Sequence, residues 1–254
     1  MYVDTHCHLI DEKLADSKSV IQEFERYAIT KAITMGCCAD TSEKGASLSN
    51  EYKSVYFGSG VHPSDAHKFN NQEADRVVAL LSHPKCVAVG EIGLDYYWEG
   101  YDKAVQKHAF ITQLEIANEY KLPVSIHMRE ATADTLEILK EHKPVYGGVL
   151  HCFAGSVETA KILINMGFYI SFAGTLTFKN ANKVLEVAKF LPDEFCLTET
   201  DSPFLAPHPY RGTVNTPKHV PVILEKLAQI KCRDIEVMAR VVMQNALTLF
   251  PKLK

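Results

Sequence analysis

The sequence has 254 residues, of which 46% are hydrophobic, so it can bury a large core, and we predict one domain over residues 1-254. Its formal net charge of -4 argues against a protein that grips nucleic acid through a globally basic surface. The seven cysteines contain no C-x-x-C spacing and fit a reducing cytosol. With no leader pattern and no long apolar window, we predict a cytoplasmic protein without a membrane partner.

Short runs rich in β-branched residues recur along the chain, each followed by a polar turn and a segment of helical period. Eight such runs are predicted strands: MYVDTHCH, KAITMGC, VYFGSGVHP, CVAVGEIGL, LPVSIHM, GGVLHCF, FYISFAG and FCLTETDSP. Amphipathic stretches between them predict helices at Ser19–Ile29, Asp102–Tyr120, Ala131–His142 and Ser156–Met166. This alternation is typical of parallel strands, in a closed barrel or in an open doubly wound sheet. The count of eight favours an α/β fold of the (β/α)8 TIM-barrel class.

The first predicted strand carries two histidines, His6 and His8, on either side of Cys7. Side chains alternate faces along a strand, so the two imidazoles point the same way, roughly 6.6 Å apart along the backbone, and the thiol points the other way. This spacing suits a shared metal ion, but it equally suits two histidines on a solvated edge. The pair alone leaves both interpretations open.

Ionisable residues also end other predicted strands, which are otherwise apolar. A lone histidine in such a place is more often a structural residue than a ligand, and a buried glutamate usually has a basic partner. Around Glu91, however, Lys85 is the only lysine or arginine within eight positions. In a barrel, the carboxyl ends of the strands form the rim that carries the active site. The strand-end residues that would meet there are His6, His8, His62, Glu91, His127, His151, Glu199 and Asp201.

Four imidazoles and two carboxylates are a ligand set for Zn²⁺, Mn²⁺ or Mg²⁺. One catalytic zinc uses about three protein ligands, so this larger set predicts two divalent ions roughly 3.5 to 4 Å apart that share one carboxylate. Such a pair activates water at neutral pH and stabilises the attacking and leaving oxygens of an ester. The expected reaction is metal-assisted hydrolysis.

The other histidines lie in loops or helical segments without carboxylates nearby, and we predict surface or capping roles for them: His67, His83, His108, His142, His208 and His219. Cys7 and Cys152 are expected to face away from the site and to pack as small hydrophobic residues.

Seven motifs occur in an order and at spacings that resemble one known family: DTHCHL, GVHP, GEIGLDYY, LPVSIHMREA, GGVLHCFAGS, TETDSPFLAP and YRG. The sequence resembles the TatD family of metal-dependent deoxyribonucleases, within the amidohydrolase-like barrel superfamily. The resemblance extends over essentially the whole chain.

The resemblance implies roles for the strand-end residues. It implies that His6 and His8 bind the first ion together with Asp201, and that Asp201 also orients or deprotonates the attacking water. Glu91 would bridge the two ions as the second catalytic carboxylate. The resemblance further implies that the second ion is held by His127 and His151.

The resemblance also implies roles for two residues that do not bind the ions. His62 would lie in the outer substrate pocket, and Glu199 would contact the metal ligands without binding an ion itself. Two departures from the family pattern concern the pocket shape, since Thr216 stands where Glu is typical and Glu130 where many relatives have Asp. Glu91 stands where many binuclear relatives in the superfamily carry a carboxylated lysine, which points away from the phosphotriesterase and dihydroorotase branches.

Candidate substrate contacts lie near these motifs. Arg129 and Arg211 offer the two-pronged match of a guanidinium to phosphate, although surface ion pairs would explain them equally well. The rings of Tyr96, Phe153 and their aromatic neighbours suit base stacking, or packing.

We therefore expect a TatD-type deoxyribonuclease, a 3′–5′ exonuclease that cleaves phosphodiesters with a two-metal-activated water, with single-stranded DNA or 3′ ends as its partner. Two alternatives remain at this point. One is a hydrolase of carboxylic esters or amides, such as a D-aminoacyl-tRNA deacylase. The other is a barrel that binds a partner without catalysis.

Overall fold

In the computed structural model, which describes residues 1–14 and 16–254, eight strands form one sheet in chain order. The strands are β1 Tyr2–Cys7, β2 Ile29–Met35, β3 Val55–Ser59, β4 Cys86–Asp95, β5 Val124–Arg129, β6 Gly148–Leu150, β7 Tyr169–Phe172 and β8 Cys196–Thr198. The strands are parallel, and β1 contacts β8, where the Thr5 hydroxyl donates to the Thr198 carbonyl at 3.1 Å. The predicted TIM-barrel class is confirmed, with the eight strands adjacent in chain order.

The described helices alternate with the strands and follow β8 as a pair. They are α1 Ser17–Gln22, α2 Ala39–Glu51, α3 Asn71–Leu81, α4 Lys103–Glu119, α5 Thr132–Glu141, α6 Val157–Asn165, α7 Asn182–Phe190, α8 Val220–Ile230 and α9 Ile235–Leu249. The predictions for α4, α5 and α6 are confirmed. Among the described residues, no helix has both the length and the apolar character needed to cross a bilayer.

The predicted helix over Ser19–Ile29 is wrong in its second half. The α-helix ends at Gln22, and Ala28 adopts a left-handed conformation with φ of 53°. Ile29 then enters β2, where it pairs with Tyr2 of β1. Apolar residues at helical spacing continue through this segment, but pairing with β1 determines the conformation of the last of them.

Close packing divides the chain into two compact units. One comprises Met1–Thr34 and His151–Thr248, and it includes β1, β7 and β8. The other comprises Met35–Leu150 and Leu249–Lys254, and it includes β3 to β6. The assignment of one domain to the whole chain stays a prediction.

β4 is buried along its whole length, as expected for a parallel strand covered on both faces. Gly93 on β4 has φ of +138°, and a Cβ atom there would lie 2.0 Å from the carbonyl oxygen of His127 on β5. Only glycine permits both this conformation and this close approach. The glycine thus determines how closely β5, which carries His127, lies against β4.

We expect Gly93→Ala to lower the free energy of unfolding by more than about 2 kcal/mol, because backbone strain and a backbone clash add. Gly100→Ala is the matched control, since Gly100 also has a positive φ of +91° but nothing lies within 4 Å of its Cβ position. Gly100→Ala should lower the free energy of unfolding by only about 1 kcal/mol. Urea denaturation of both variants measures the difference, and equal losses would contradict the packing argument.

Candidate metal centre

The end of β1 and the segment after β8 bring three ligand groups together, which we name the first cluster: His6, His8 and Asp201. The Nε2 atoms of the two histidines are 3.3 Å apart. Asp201 Oδ1 lies 3.5 Å from Nε2 of His8 and 3.9 Å from Nε2 of His6. The thiol of Cys7 faces the other way and donates to the carbonyl of Ile33 at 3.3 Å, as strand alternation predicts.

Backbone hydrogen bonds hold Asp201 beside β1. Its N–H donates to the carbonyl of His6 at 2.9 Å, and the N–H of His8 donates to the carbonyl of Ser202 at 2.6 Å. Asp201 itself has φ of 53°, a left-handed conformation that aspartate tolerates better than most residues. Burial alone would raise the pKa of Asp201. The hydrogen bond from His8 and the charges of His151, His6 and His8 outweigh it and hold the pKa below its usual value.

Asp4 is a buried carboxyl group that the sequence argument missed. Its Oδ1 accepts from the backbone N–H of Thr200 at 2.9 Å and from that of His6 at 3.3 Å, and its Oδ2 accepts from the Thr200 hydroxyl at 2.5 Å. Burial, with a smaller contribution from the charge of Glu199, raises the pKa of Asp4 to about 8, although the bonds from Thr200 oppose the rise. The group ties β1 to the segment that leads into Asp201.

A residue of the Pro-rich loop after β8 also holds the segment around Asp201 in place. The side-chain amide of Asn215 donates to the carbonyls of Thr200 and Phe204, at 2.8 and 2.7 Å, on either side of Asp201. Nδ1 of His219 pairs with Oδ1 of Asn215 at 2.8 Å, and its ring stacks on Tyr210. His219 is only 6% exposed, and although it lies at the N-cap position of α8 its side chain makes no capping hydrogen bond, so the surface or capping role predicted for it is wrong.

Burial, aided by the charge of Lys218 and opposed by that of Glu23, lowers the pKa of His219 to about 4. The unfolded chain, with a pKa near about 6.5, then binds the proton more readily, so the stability contributed by neutral His219 is lost as the pH falls from about 6.5 towards 4. Across this pH range, we expect the free energy of unfolding of the wild-type protein to fall by up to about 3 kcal/mol more than that of His219→Gln. Urea unfolding at several pH values tests this, because the other histidines contribute equally to both proteins. Parallel stability curves would contradict it.

His151 follows β6 and is oriented by Glu199. Its ring stacks on that of His6 at a centroid distance of 3.9 Å, and its Nδ1 lies 3.2 Å from Glu199 Oε1. The same oxygen accepts from the backbone N–H of Cys152 at 2.7 Å. Glu199 is fully buried, and its Oε2 has no hydrogen-bond partner among the described residues. A carboxylate behind a ligand histidine commonly sets its orientation, in keeping with the outer role expected for Glu199.

Glu91 on β4 is the centre of a second cluster, which we define as His62, Glu91 and His127. Glu91 Oε1 lies 2.9 Å from Nδ1 of His127 and 3.5 Å from Nε2 of His62. The two imidazole rings are 4.6 Å apart. His62, expected in an outer pocket, therefore lies directly beside the Glu91 carboxylate.

Lys85, the basic residue nearest to Glu91 in sequence, does not serve as its partner. The ammonium group of Lys85 donates to the carbonyls of Ser49, Tyr52 and Val55, at 2.7, 2.6 and 3.2 Å. It caps the end of α2 instead. An ion pair with Lys85 therefore does not explain why the carboxylate of Glu91 is buried.

Asp95 also belongs to this region and was missed. Its Oδ2 lies 3.1 Å from Nε2 of His127, and its Oδ1 accepts from the N–H of Tyr97 at 2.9 Å. Burial alone would raise the pKa of Asp95, but the bonds from His127 and Tyr97 and the charges of His127 and Arg129 hold it below its usual value. The signal was present in the sequence, because Asp95 follows Glu91 by four residues on one strand.

Both clusters fit divalent metal ions. In each, imidazole nitrogens and a carboxylate oxygen lie within 4.8 Å of one another, as do those of His6, His151 and Glu199. This nitrogen and oxygen set suits Zn²⁺, Mn²⁺ or Mg²⁺. The unpartnered buried oxygen of Glu199 is a further sign, because a bare buried carboxylate oxygen is costly.

The predicted substrate residues occupy different surroundings. The guanidinium of Arg129 lies 3.7 Å from the ring centre of Tyr97, and that of Arg211 lies 3.9 Å from the ring centre of Phe178. The Tyr96 hydroxyl donates to an Asp134 carboxylate oxygen at 2.7 Å, which holds its ring in place. Phe153 is 2% exposed and packs against Gly155. Their roles in substrate binding stay predictions.

Comparison with known proteins places the chain among metal-dependent hydrolases. The family model described as TatD related DNase matches residues 3–251. The chain is 40% identical to "Uncharacterized metal-dependent hydrolase YabD" of Bacillus subtilis, over 98% of this chain and 99% of that protein. It is 37% identical to "Uncharacterized metal-dependent hydrolase YcfH" of Escherichia coli, with coverage of 98% and 95%.

Solved structures agree with this assignment. YJJV, a TatD homologue from Escherichia coli, superposes with a TM-score of 0.94 at 28% identity, over 98% of both chains. An organophosphorus hydrolase from Deinococcus radiodurans, at 12% identity and a TM-score of 0.68, shares the fold alone. The chain therefore belongs to the TatD-related DNase family and is a metal-dependent hydrolase.

Proposed function

We propose that the protein is a deoxyribonuclease that removes nucleotides from the 3′ end of DNA. The observation that supports this proposal most directly is a guanidinium stacked on exposed aromatic rings, which hydrogen bonds connect to the second cluster. Arg129 lies over the exposed rings of Tyr97 and Trp98, at 3.7 and 5.6 Å from their centres. The N–H of Tyr97 donates to Asp95, which in turn holds His127. A guanidinium pairs with phosphate, and exposed rings stack on unpaired bases.

The first cluster carries a similar pair. The ring of Phe204 meets that of His8 edge to face at 6.2 Å, and the ammonium group of Lys13 lies 4.4 Å from the ring centre of Phe204. Phe204 is held by its backbone, because its N–H donates to the carbonyl of Asp201. Two local cations support an anionic substrate despite the net charge of -4.

In this proposal the divalent ions supply a water activated at neutral pH and an electrostatic clamp on the phosphodiester. The chain would hold them through the residues that the family resemblance implies, with Glu91 as a carboxylate ligand: His6, His8, Glu91, His127, His151 and Asp201. Asp201, whose pKa the surrounding histidines hold below its usual value, would accept the proton of the attacking water. Glu199 and Asp95 keep the histidines oriented through the bonds described above.

Hydrolysis assays with end-labelled DNA test the proposal. The protein is incubated with Mg²⁺, Mn²⁺ or Zn²⁺ and a 5′-labelled single strand, and a D-aminoacyl-tRNA is assayed in parallel. We expect stepwise shortening from the 3′ end and no deacylation. Deacylation without shortening would replace the proposal with the carboxylic-ester alternative.

Arg129→Met should raise KM for the oligonucleotide about tenfold or more, because it removes a phosphate contact while keeping much of the side-chain volume. The matched control is Arg26→Met, since Arg26 also lies over a tyrosine ring, at 5.7 Å from the centre of Tyr27, but belongs to neither cluster. Steady-state kinetics on both variants measure the effect. Equal KM values would remove Arg129 from the substrate site.

A further inference from the structure

The thiol of Cys37 lies beside Glu91 and belongs to neither the first nor the second cluster. Cys37 follows β2 by two residues and is partly exposed. Its Sγ lies within 4.8 Å of a carboxylate oxygen of Glu91. Cys37 is not in a disulfide. A sulfur donor is therefore close to the Glu91 carboxylate of the second cluster.

The backbone around Cys37 is bonded to two members of that cluster. The carbonyl of Gly36 accepts from the N–H of Glu91 at 2.9 Å, and the carbonyl of Cys37 accepts from the N–H of His62 at 2.9 Å. The N–H of Cys37 donates to the Thr41 hydroxyl at 2.8 Å, which fixes the turn into α2. The same bonds that position the cluster thus also position the thiol.

This separation fits two donors to one ion. Zinc binds sulfur at about 2.3 Å and carboxylate oxygen at about 2.0 to 2.2 Å, so tetrahedral donors lie about 3.6 Å apart. The Cys37 sulfur and a Glu91 oxygen, which lie within 4.8 Å of each other, are near that separation. Carboxylate ligands accept Mg²⁺, Mn²⁺ and Zn²⁺, and imidazole already favours Zn²⁺ over Mg²⁺. A thiolate adds to that preference, because it favours soft or borderline ions and disfavours Mg²⁺.

We propose that Cys37 is an additional sulfur ligand at the Glu91 carboxylate, and that it makes the centre select Zn²⁺ over Mg²⁺. When the sulfur binds, its S–H bond breaks, the proton passes to solvent, and a sulfur lone pair forms the bond to the ion. The inference rests on the metal centre of the proposed function but does not depend on its substrate.

Cobalt spectroscopy tests the sulfur bond directly. The full-length protein is treated with chelator, loaded with Co²⁺ and scanned in the near ultraviolet, where a thiolate ligand produces a charge-transfer band. We expect the band in the wild type and its loss in Cys37→Ser. Cys38→Ser is the matched control: its thiol is adjacent and partly exposed too, but lies 3.5 Å from the Thr41 hydroxyl at the start of α2. That variant should keep the band.

Metal titration provides the second measurement. Cys37→Ser should bind Zn²⁺ about tenfold or more weakly, with Mg²⁺ affinity unchanged, while Cys38→Ser matches the wild type for both ions. Cys37→Ala, with circular dichroism of the metal-free protein, separates loss of the ligand from misfolding. A band and a Zn²⁺ affinity that survive in folded Cys37 variants would overturn the proposal. Failure to cleave DNA, with the band retained, would count against the proposed substrate only.

Discussion

Asp201→Asn is expected to lower kcat by about 10³-fold or more on any hydrolysable substrate. The amide cannot accept the proton of the attacking water, and it is a poorer ligand for a divalent cation than a carboxylate. Asparagine tolerates the left-handed conformation at φ of 53°, so the backbone at this position should be preserved. The effect is therefore expected in the chemistry rather than in the fold.

Steady-state rates and melting curves of Asp201→Asn measure the two effects separately. Asp75→Asn, an exposed change on α3, introduces the same chemical change away from the clusters and should leave kcat as it is. A kcat for Asp201→Asn within a few-fold of the wild type would remove Asp201 from the catalytic step.

The second large effect concerns metal removal. Returning a divalent ion to chelator-treated protein, at about 100 times its Kd, adds about 2.7 kcal/mol to the free energy of unfolding. For a chain of this length that raises Tm by roughly 5 to 10 °C. The physical cause is that the ion adds positive charge beside two buried carboxylates, Glu91 at 2% and Glu199 at 0% exposure.

Glu91→Gln should remove most of this Tm increase, while Glu137→Gln, an exposed change on α5, should keep it. Scanning calorimetry with and without Zn²⁺, Mn²⁺ and Mg²⁺ measures the shifts. If all three proteins melt at the same temperature with and without metal, the clusters do not form a metal centre.

Much of the fold could be predicted because its signals are local. The period of two along β1 predicts that His6 and His8 share a face and that Cys7 turns away. Apolar runs ending in ionisable residues predict which ends of the strands carry polar groups. The apolar spacing that predicts a helix over Ser19–Ile29 misleads, because it does not reveal that Ile29 pairs with Tyr2.

Apart from Asp95, the residues missed at the site lack such a local signal. Asp4 is bonded to Thr200, which is 196 positions away in the sequence, and its pKa near 8 reflects burial that no short window encodes. His219 looked like a surface residue, yet it is buried beside Asn215. Cys37 has no metal-site spacing, and only folding brings its sulfur within 4.8 Å of a carboxylate oxygen of Glu91, which is remote in the sequence.

The sequence by itself determined the fold class, the family and the residue types of the metal centre, because strand period, strand-end chemistry and motif order are properties of short segments. Only the tertiary structure decided which carboxylate faces which imidazole, which carboxyl groups are buried, and that a thiol lies beside Glu91. Distances, burial and pKa shifts depend on partners that are remote in sequence, and folding alone brings those partners together.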